Sequence, residues 1–466
     1  MGNNTSCQNI GLGVNRICDI GGCTQKVIGM KSNSASPSDI WVLTLNQGTR
    51  YGNIIVNGDV VLKIFISDST VNNVVSSPEI IYESKVYEFV VGSMFAKYIN
   101  PHFVPYYGRA LGCNINQLAN ILDKNESESD RIASIYYNVS YYGTKQLKGG
   151  RPSVTNVLSD IRNRRPIPTD TIGIENIKKV QSKFNYGMIV TAKSNGQTFS
   201  DFFKTENMYD TNSGTYYLQP QKDSMVILIQ IVSALCALTP FECAHNDLHM
   251  GNIFVNRKHP HELSYTYKYS DNNDRYIYSF STQSEKYTAS IYDWDRSYSP
   301  LLGDNPSNSE SRCNRNMNCN EFISKRDTLK ILTYIVKIIG SGKFVNDMID
   351  IIWTTDNSKS FYINEVLRGP SAYFLHVKST RKTMVNDDFK DMYDPYDILS
   401  RLISYCNIIF PNTVIFHPYL PVQTVPQTYI LYDFTYSKVF KDRQNFITNS
   451  EYELSQPQQP QQPQQP

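Results

Sequence analysis

The segment Ala244-His245-Asn246-Asp247-Leu248-His249-Met250-Gly251-Asn252-Ile253-Phe254-Val255 constrains this chain more than any other. Polar and small residues lead directly into three apolar ones, which demands a tight turn that hands its chain to a strand. Upstream, Val226, Ile229, Val232, Leu235 and Leu238 recur at helical spacing. The turn is therefore entered from a largely buried helix, with Asp223 placed to cap its N-terminus. A polar turn between two apolar elements holds its side chains on a fixed scaffold. Asp247 and Asn252 stand five residues apart on it, and Ile291-Tyr292-Asp293-Trp294-Asp295 brings further carboxylates to the end of another strand.

The rest of the chain reads as an α+β fold. Strands are expected at 41–45, 53–56 and 60–66, with Asn57-Gly58 between the last two as the strongest short hairpin signal, because a type I′ turn wants positive φ at both central residues. A helical segment over 78–99, a strand at 103–107 and a strand at 186–191 closed by Asn195-Gly196 follow. Residues 1–35 read as a flexible polar arm without a core of its own, and 112–180 as an insertion of short helices and loops. Between Asn252 and Asp293, Tyr alternates with polar residues, which suggests an enlarged β-hairpin. Residues 303–320 form a Ser/Asn-rich loop. Helices are expected over 321–339 and 384–405. The 456–466 tail repeats Pro-Gln-Gln and should be extended and unpacked. This divides the chain into an arm (1–35), a sheet-rich lobe (36–191), a mainly helical lobe (192–440) and a Pro/Gln-rich tail (441–466).

With 466 residues, 40% of them hydrophobic, the chain can bury two sizeable cores. Its 45 Lys plus Arg against 43 Asp plus Glu give no strongly basic balance, so nucleic acid is not an expected partner. Nine Cys in so long a chain do not read as a disulfide framework, and reduced thiols in a reducing compartment are expected. Cys18/Cys23 and Cys313/Cys319 lack the His partners of a zinc site. No stretch is read as approaching the roughly 18–20 apolar residues that span a bilayer. The start, Met1-Gly2-Asn3-Asn4-Thr5-Ser6-Cys7, fits N-myristoylation at Gly2, with Cys7 acylation as the second signal that stable membrane attachment needs.

Phosphoryl transfer from MgATP explains the polar residues best. Asp247 can accept a hydrogen bond from an attacking hydroxyl; Asn252 and Asp293 supply oxygen ligands for Mg²⁺. Asp295 is a second carboxylate that a surface-facing acid explains equally well, and His245 reads as structural. Lys63 lies centrally on an otherwise apolar strand, where an inward ammonium needs a charged partner. Glu83, twenty residues on, is the first choice for that partner and Glu88 the rival. Gly48 and Gly52 stand where a loop would close over phosphates. Val190, Thr191 and Ala192, running into Lys193, would present backbone groups to adenine.

In this order, Gly48/Gly52, Lys63, Glu83, the segment at 188–196, Asp247, Asn252 and Asp293 resemble the protein-kinase-like superfamily across about residues 36–440. The turn matches the superfamily's H-x-D-L-x-x-x-N at every fixed position. Asp327, in Lys325-Arg326-Asp327-Thr328-Leu329, looks like the helix acid that braces the catalytic turn. The Tyr- and Asn-rich composition, the insertion and Asp-Trp-Asp in place of Asp-Phe-Gly look most like the serine/threonine-protein kinases of large DNA viruses such as iridoviruses. The resemblance implies a bilobal fold, ATP and Mg²⁺ as cofactors, and Ser/Thr of a protein as acceptor. It also implies a site of action in the host-cell cytoplasm and the virion. Asn246 and His249 depart from the Arg and Lys common in that family, and no Ala-Pro-Glu segment follows Asp293. The Asp-Leu-His-x-Gly-Asn form is also similar to aminoglycoside and choline phosphotransferases. A small-molecule phosphotransferase and a pseudokinase scaffold are therefore the alternatives.

Overall fold

The computed structural model describes residues 20, 23–32, 39–46, 50–51, 54–56, 59–68, 78–96, 98–114, 184–207, 221–258, 264–270, 278–282, 286–309, 319–370, 375–418 and 429–434. Gly2, Cys7, Gly48, Gly52, Asn57-Gly58, nearly all of the 112–180 insertion and the Pro/Gln tail lie outside them. The fold is mixed α+β with mostly antiparallel sheets. It divides into two units, Met1–Glu88 with Val104–Ser194, and Phe89–Phe103 with Asn195–Pro466.

The first unit is a sheet. Strands β1 (Thr24–Ser32), β2 (Asp39–Leu45), β3 (Arg50–Tyr51), β4 (Ile54–Ile55) and β5 (Asp59–Asp68) precede helix α1 (Pro78–Val86). That helix continues as a π-helical stretch, Tyr87–Val91, and then α2 (Gly92–Ala96), the chain from Phe89 to Phe103 belonging to the second unit. Strands β6 (Tyr106–Asn114) and β7 (Phe184–Ala192) complete an antiparallel five-stranded sheet of order β1-β2-β5-β7-β6. Period-two patterning explains β5: Val60, Leu62 and Ile64 are buried on one face, in a core with Trp41, Leu43, Met188 and Val190. Lys63 is left on the other face.

Two expectations fail here. The 1–35 arm contains β1, whose backbone pairs with β2 from Thr24↔Leu45 to Ser32↔Asp39, and Ile20, Cys23 and Val27 join the core. Ladder hydrogen bonds need no apolar run, so polar composition hid this strand. The expected second strand pairs with β3 rather than forming a hairpin with β5 among the described residues.

After its Phe89–Phe103 segment, the second unit continues with β8 (Gln197–Thr198), α3 (Phe199–Asn207) and α4 (Lys222–Leu238). Every side chain of α4 from Ser224 to Leu238 is buried. Lys222–Phe241 is in fact long and apolar enough to span a bilayer, contrary to expectation, but 94% of its most apolar window is buried inside the protein. The N-cap of α4 is Gln221, without a side-chain cap, so Asp223 sits in the first turn rather than at the cap. The buried Gln230 ties α4 to the neighbouring strand. Its Oε1 accepts from Ala289 N at 2.8 Å and its Nε2 donates to Tyr287 O at 3.2 Å.

Beyond the turn come β9 (Ile253–Arg257), β10 (Ser264–Tyr269), β11 (Tyr278–Thr282) and β12 (Tyr287–Ile291). The β9/β12 pair is an antiparallel hairpin, and β8 adds to its outer side. Gly196 permits that addition, since a Cβ there would lie 2.2 Å from Val255 O. Helices α5 (Pro306–Ser309), α6 (Ser324–Ile339), α7 (Lys343–Ile352), α8 (Asp356–Phe361) and α9 (Pro395–Ile409) follow. The expected 384–405 helix starts late because Asp394 caps it, accepting from Tyr396 N and Asp397 N at 2.9 Å each. Strands β13 (Val414–Pro418) and β14 (Tyr429–Phe434) then pair with the tyrosine strands in the order β13-β11-β10-β14. What reads as one enlarged hairpin is therefore two sheets, the inner one completed by distant C-terminal strands. Aromatic contacts unite that inner sheet, with Tyr267 stacked on Phe280 at 4.6 Å between centroids and Phe434 tilted against Tyr269 at 5.2 Å.

Cysteine usage also departs from the expectation of reduced thiols throughout. Cys23, Cys113 and Cys319 are disulfide-bonded, whereas Cys236, Cys243 and Cys406 are free and buried.

Candidate active site

In the first unit, β5 and α1 bring Lys63 and Glu83 together. Lys63 Nζ lies 2.9 Å from Glu83 Oε1, with the side chains 12% and 1% exposed. Such a buried pair secures the orientation of its ammonium, because either partner alone would carry a desolvated charge. Glu88, the rival, binds Arg109 Nε at 3.0 Å and accepts from Tyr106 OH at 3.0 Å. Burial and the neighbouring Glu88 carboxylate push the Tyr106 hydroxyl far above its ordinary pKa, keeping it a donor. Val190, Thr191 and Ala192 lie in β7 opposite Leu62, Val61 and Val60. The N–H of Ala192 donates to Pro105 O at 2.9 Å and that of Lys193 to Asp59 O at 3.2 Å. The backbone groups of this segment left for a ligand such as adenine therefore do not include these two N–H donors. Lys193 also holds Asp59 at 2.9 Å; desolvation raises the Asp59 pKa, but the bonds from Lys193 and Thr44 together outweigh it and lower the carboxyl below its ordinary value.

In the second unit, the turn leaving α4 is held from several sides. Asp327, on the first turn of α6, accepts through Oδ2 from His245 N at 2.7 Å and Asn246 N at 3.3 Å. Asn246 has φ 61°, a left-handed conformation that Asn tolerates better than most residues. Its amide donates to Cys319 O at 2.8 Å and Arg296 O at 3.1 Å. Lys330, one helical turn beyond Asp327, donates to Asn246 O. Burial pulls the Lys330 ammonium down to about 8, while Asp327 and Asp247 oppose the fall.

The register of the β9/β12 hairpin decides where the metal-ligand candidates meet. Ile253 pairs with Ile291, so Asn252 and Tyr292 face each other just past the strand ends and Asp293 follows directly. Tyr292 N donates to Asn252 O at 3.2 Å, and Tyr292 OH donates to Gly251 O at 2.7 Å. His245 Nε2 donates to Tyr292 O at 2.9 Å, tying the turn to the Asp293 segment. His245 is thus a brace, as expected. Asp293 itself takes φ 68°, and non-Gly residues held in this region concentrate where function constrains the backbone. Trp294 is fully buried against His245, with ring centroids 4.8 Å apart.

Asp247 is 8% exposed, and Arg296 Nη1 lies 3.7 Å from its Oδ1. Asn252 Nδ2 donates to Asp247 O at 3.1 Å, so Oδ1 of Asn252 is the atom that could ligate a metal. A neutral amide oxygen and a carboxylate suit Mg²⁺, which takes few protein ligands and completes its shell with water and phosphate. Among the described residues, no group of three or more His, Cys, Asp or Glu forms a metal cage. Gly251 N donates to His249 Nδ1 at 3.0 Å. Burial lowers the His249 pKa, against the pull of the Asp247 charge. A cavity of about 550 Å³ lined by Lys343, Asp347, Tyr396, Arg401 and Tyr405, among others, contains none of these residues.

Sequence reading missed Arg296, Lys330 and two asparagines, Asn305 and Asn308, that pin the segment after Asp293. Asn305 Nδ2 donates to Asp295 O and Ser297 O at 3.0 and 2.7 Å, and Asn308 Nδ2 donates to Arg296 O at 3.2 Å. Only Lys330 left a usable signal, its i,i+3 spacing from Asp327 on an amphipathic helix. Comparison of the chain with protein-family models and with curated proteins finds no match.

Proposed function

We propose that this chain is an ATP-dependent kinase of bilobal, protein-kinase-like architecture that transfers the γ-phosphoryl group of MgATP to a Ser or Thr hydroxyl of a protein. The observation that carries the reading is the linkage of the Asp247 turn to the Asp293 segment through His245 Nε2 and Tyr292 O, with Asn252 bonded to both sides. That scaffold supplies a hydroxyl-orienting carboxylate and two hard oxygen ligands on one rigid frame. The buried Lys63–Glu83 pair of the other unit supports the reading by holding an ammonium suited to a phosphate.

In this reaction the acceptor oxygen forms a bond to phosphorus as the bond from phosphorus to the β–γ bridging oxygen breaks. ADP leaves with that bonding pair, and Asp247 accepts the hydroxyl proton. Asn252 and Asp293 would hold Mg²⁺, which neutralises phosphate charge when bound. Lys63 would bind phosphate oxygens, with Glu83 fixing its position.

The test is incubation of the purified chain with γ-labelled ATP, Mg²⁺ and a protein mixture, beside Asp247→Asn. Transfer should fall by roughly 10²–10⁴-fold in the variant, while MgATP affinity measured by calorimetry stays within about threefold, since only hydroxyl positioning is removed. Equal turnover of the two proteins refutes the assignment. Label recovered as phosphoserine or phosphothreonine supports a protein acceptor, whereas label on a small molecule shifts the reading to the alternative acceptor class.

A further inference from the structure

The chain between α8 and α9 builds a short hairpin whose tip, Lys378-Ser379-Thr380-Arg381-Lys382, carries only cations and hydroxyls. Buried Leu375, Val377, Thr383 and Met384 anchor its two arms. Met384 N donates to Leu375 O at 3.3 Å, His376 and Thr383 form a bridge, and Val377 N donates to Lys382 O at 2.9 Å. Arg381 N closes the turn on Val377 O at 2.8 Å, and Lys382 N donates to Thr380 Oγ1 at 3.3 Å. A π-helical turn, Tyr362–Val366, grips the tip. Its Glu365 O accepts from Lys378 N at 2.9 Å, and Glu365 Oε2 accepts from Ser379 N at 2.7 Å. Arg381 takes φ 55°, a left-handed conformation that persists only where the surroundings over-determine it.

Among the described residues, no hydrogen bond or ion pair engages the charged ends of Lys378, Arg381 or Lys382, all of them exposed. Glu365, the carboxylate that touches the tip, is engaged by Ser379, and the Lys378 charge acts on it more weakly. Arg368, also exposed, joins the same end of the unit, since a Cβ on its neighbour Gly369 would lie 1.9 Å from His376 O. Lys337 Nζ donates to Gly369 O at 2.9 Å and adds a further positive charge there. Of the acids that follow, Asp388 accepts from Val385 N at 2.8 Å, and Asp387 is exposed. A lone solvated lysine is ordinary on any surface. Cations fixed side by side on one turn repel one another and gain from a polyanion that lies across them.

Size and the apolar neighbours choose the partner. A protein on duplex DNA makes roughly 6–10 phosphate contacts, more than these cations supply, and the chain's net charge is only +2. Val385 follows the second arm and Ile363 precedes Glu365; they are 62% and 36% exposed. Large apolar side chains beside cations match a headgroup layer, where the charges meet anionic lipid and the apolar parts enter the acyl boundary. We propose that the 376–385 hairpin, with Arg368, is an electrostatic docking surface for a membrane leaflet rich in anionic phospholipid. This surface stands with or without the chemistry at Asp247. It also bears on the start of the chain, since a single acyl chain at Gly2 would anchor only marginally and a polybasic companion makes such attachment stable.

The experiment sediments the purified full-length chain with vesicles, using Gly2→Ala as the parent so that no acyl chain contributes. One vesicle set is phosphatidylcholine alone, and the other contains about one-third phosphatidylserine. Each Lys or Arg at an anionic surface contributes about fivefold in partitioning. Binding to the phosphatidylserine vesicles should exceed binding to phosphatidylcholine by at least about tenfold and should fall as salt rises. Lys378→Ala/Arg381→Ala/Lys382→Ala should lower it on the order of 10²-fold, with an unchanged thermal midpoint. Lys378→Arg/Lys382→Arg, which keeps the charge, should bind as the parent does. Absent or equal partitioning of the parent onto the two vesicle types, or binding insensitive to salt, overturns the inference without recourse to any tip variant. A triple-alanine variant that binds like the parent also overturns it. So does a parent that binds duplex DNA at the same salt and ignores the phosphatidylserine vesicles.

Discussion

The Lys63–Glu83 pair makes a demand that can be worked out in free energy. Glu83 is 1% exposed and Lys63 12%, and their charged atoms are 2.9 Å apart. Glu83→Leu removes the carboxylate that offsets the buried ammonium, and Lys63→Met removes the ammonium that offsets the carboxylate. Each should cost about 3–5 kcal/mol, the usual penalty for breaking a buried ion pair from one side. Replacing both, as Lys63→Met/Glu83→Leu, leaves no buried charge and should cost less than about 1 kcal/mol. The coupling energy between the sites, the sum of the single costs less that of the double, is then about 5 kcal/mol or more. With a urea slope near 2 kcal/mol/M, each single variant shifts the midpoint down by roughly 1.5–2.5 M. Of the three tryptophans only Trp41 belongs to this unit and it is fully buried. Its fluorescence, in a Trp294→Phe/Trp353→Phe background, therefore reports the unit's unfolding. Single variants that cost under about 1 kcal/mol, or a double variant that costs the sum of the two, would refute the argument that burial makes this pair interdependent. The double variant also separates stability from function: it should be stable and yet transfer no phosphate, and activity in it rules out the phosphate role of Lys63.

The remaining predictions concern the second unit. Asp327→Ala strips the acceptor from the His245 and Asn246 N–H groups. Two buried donors at about 1–3 kcal/mol each should raise amide exchange across 244–252, and unchanged protection there contradicts the bracing role. His102 sits buried between Ala289 O, at 3.2 Å from Nδ1, and Tyr267 OH, at 2.7 Å from Nε2. Burial lowers its pKa to about 3. Below the unfolded value of about 6.5, the unfolded chain binds a proton that the folded one refuses. Stability should therefore fall as pH drops from about 6.5 toward 3, by about 1.4 kcal/mol per pH unit from this residue. His102→Phe should flatten that slope in urea titrations across the window, and an unaltered slope removes His102 as its source. Gly196→Ala pushes a Cβ to 2.2 Å from Val255 O, a backbone atom that cannot step aside. A loss of about 1–3 kcal/mol is expected, and a wild-type urea midpoint in this variant counts against the packing of β8 on β9.

Legibility in the sequence followed the range of the interaction. The strand carrying Lys63 and the helix leaving Lys222 announce themselves because burial of one face, or of nearly all, imposes a period on the side chains. Strand β1 does not, since its stability comes from pairing with β2, and Thr24–Ser32 carries little apolar patterning. The inner tyrosine sheet escapes the sequence for a similar reason. Alternating Tyr signals strands correctly, but β10 pairs in parallel with β14, whose residues lie far along the chain. The cap of α9 shows the opposite case, a boundary moved by a local competitor: Asp394 ahead of Pro395 starts a helix more strongly than the residues before it.

What the amino-acid order determined alone was the inventory of reactive groups and the local elements that carry them. Asp247 and Asn252 share one turn, Asp293 follows the end of a strand, and Lys63 lies on an apolar strand twenty residues from Glu83, because these relations depend on neighbours in the chain. Tertiary structure decided which groups meet. It chose Glu83 over Glu88, placed Asn252 opposite Tyr292 through hairpin register, brought Arg296 to Asp247, and gave Ala192 and Lys193 other uses for their N–H groups. The physical reason is that a contact between distant residues is set by register and packing direction, to which no single segment's propensity is sensitive.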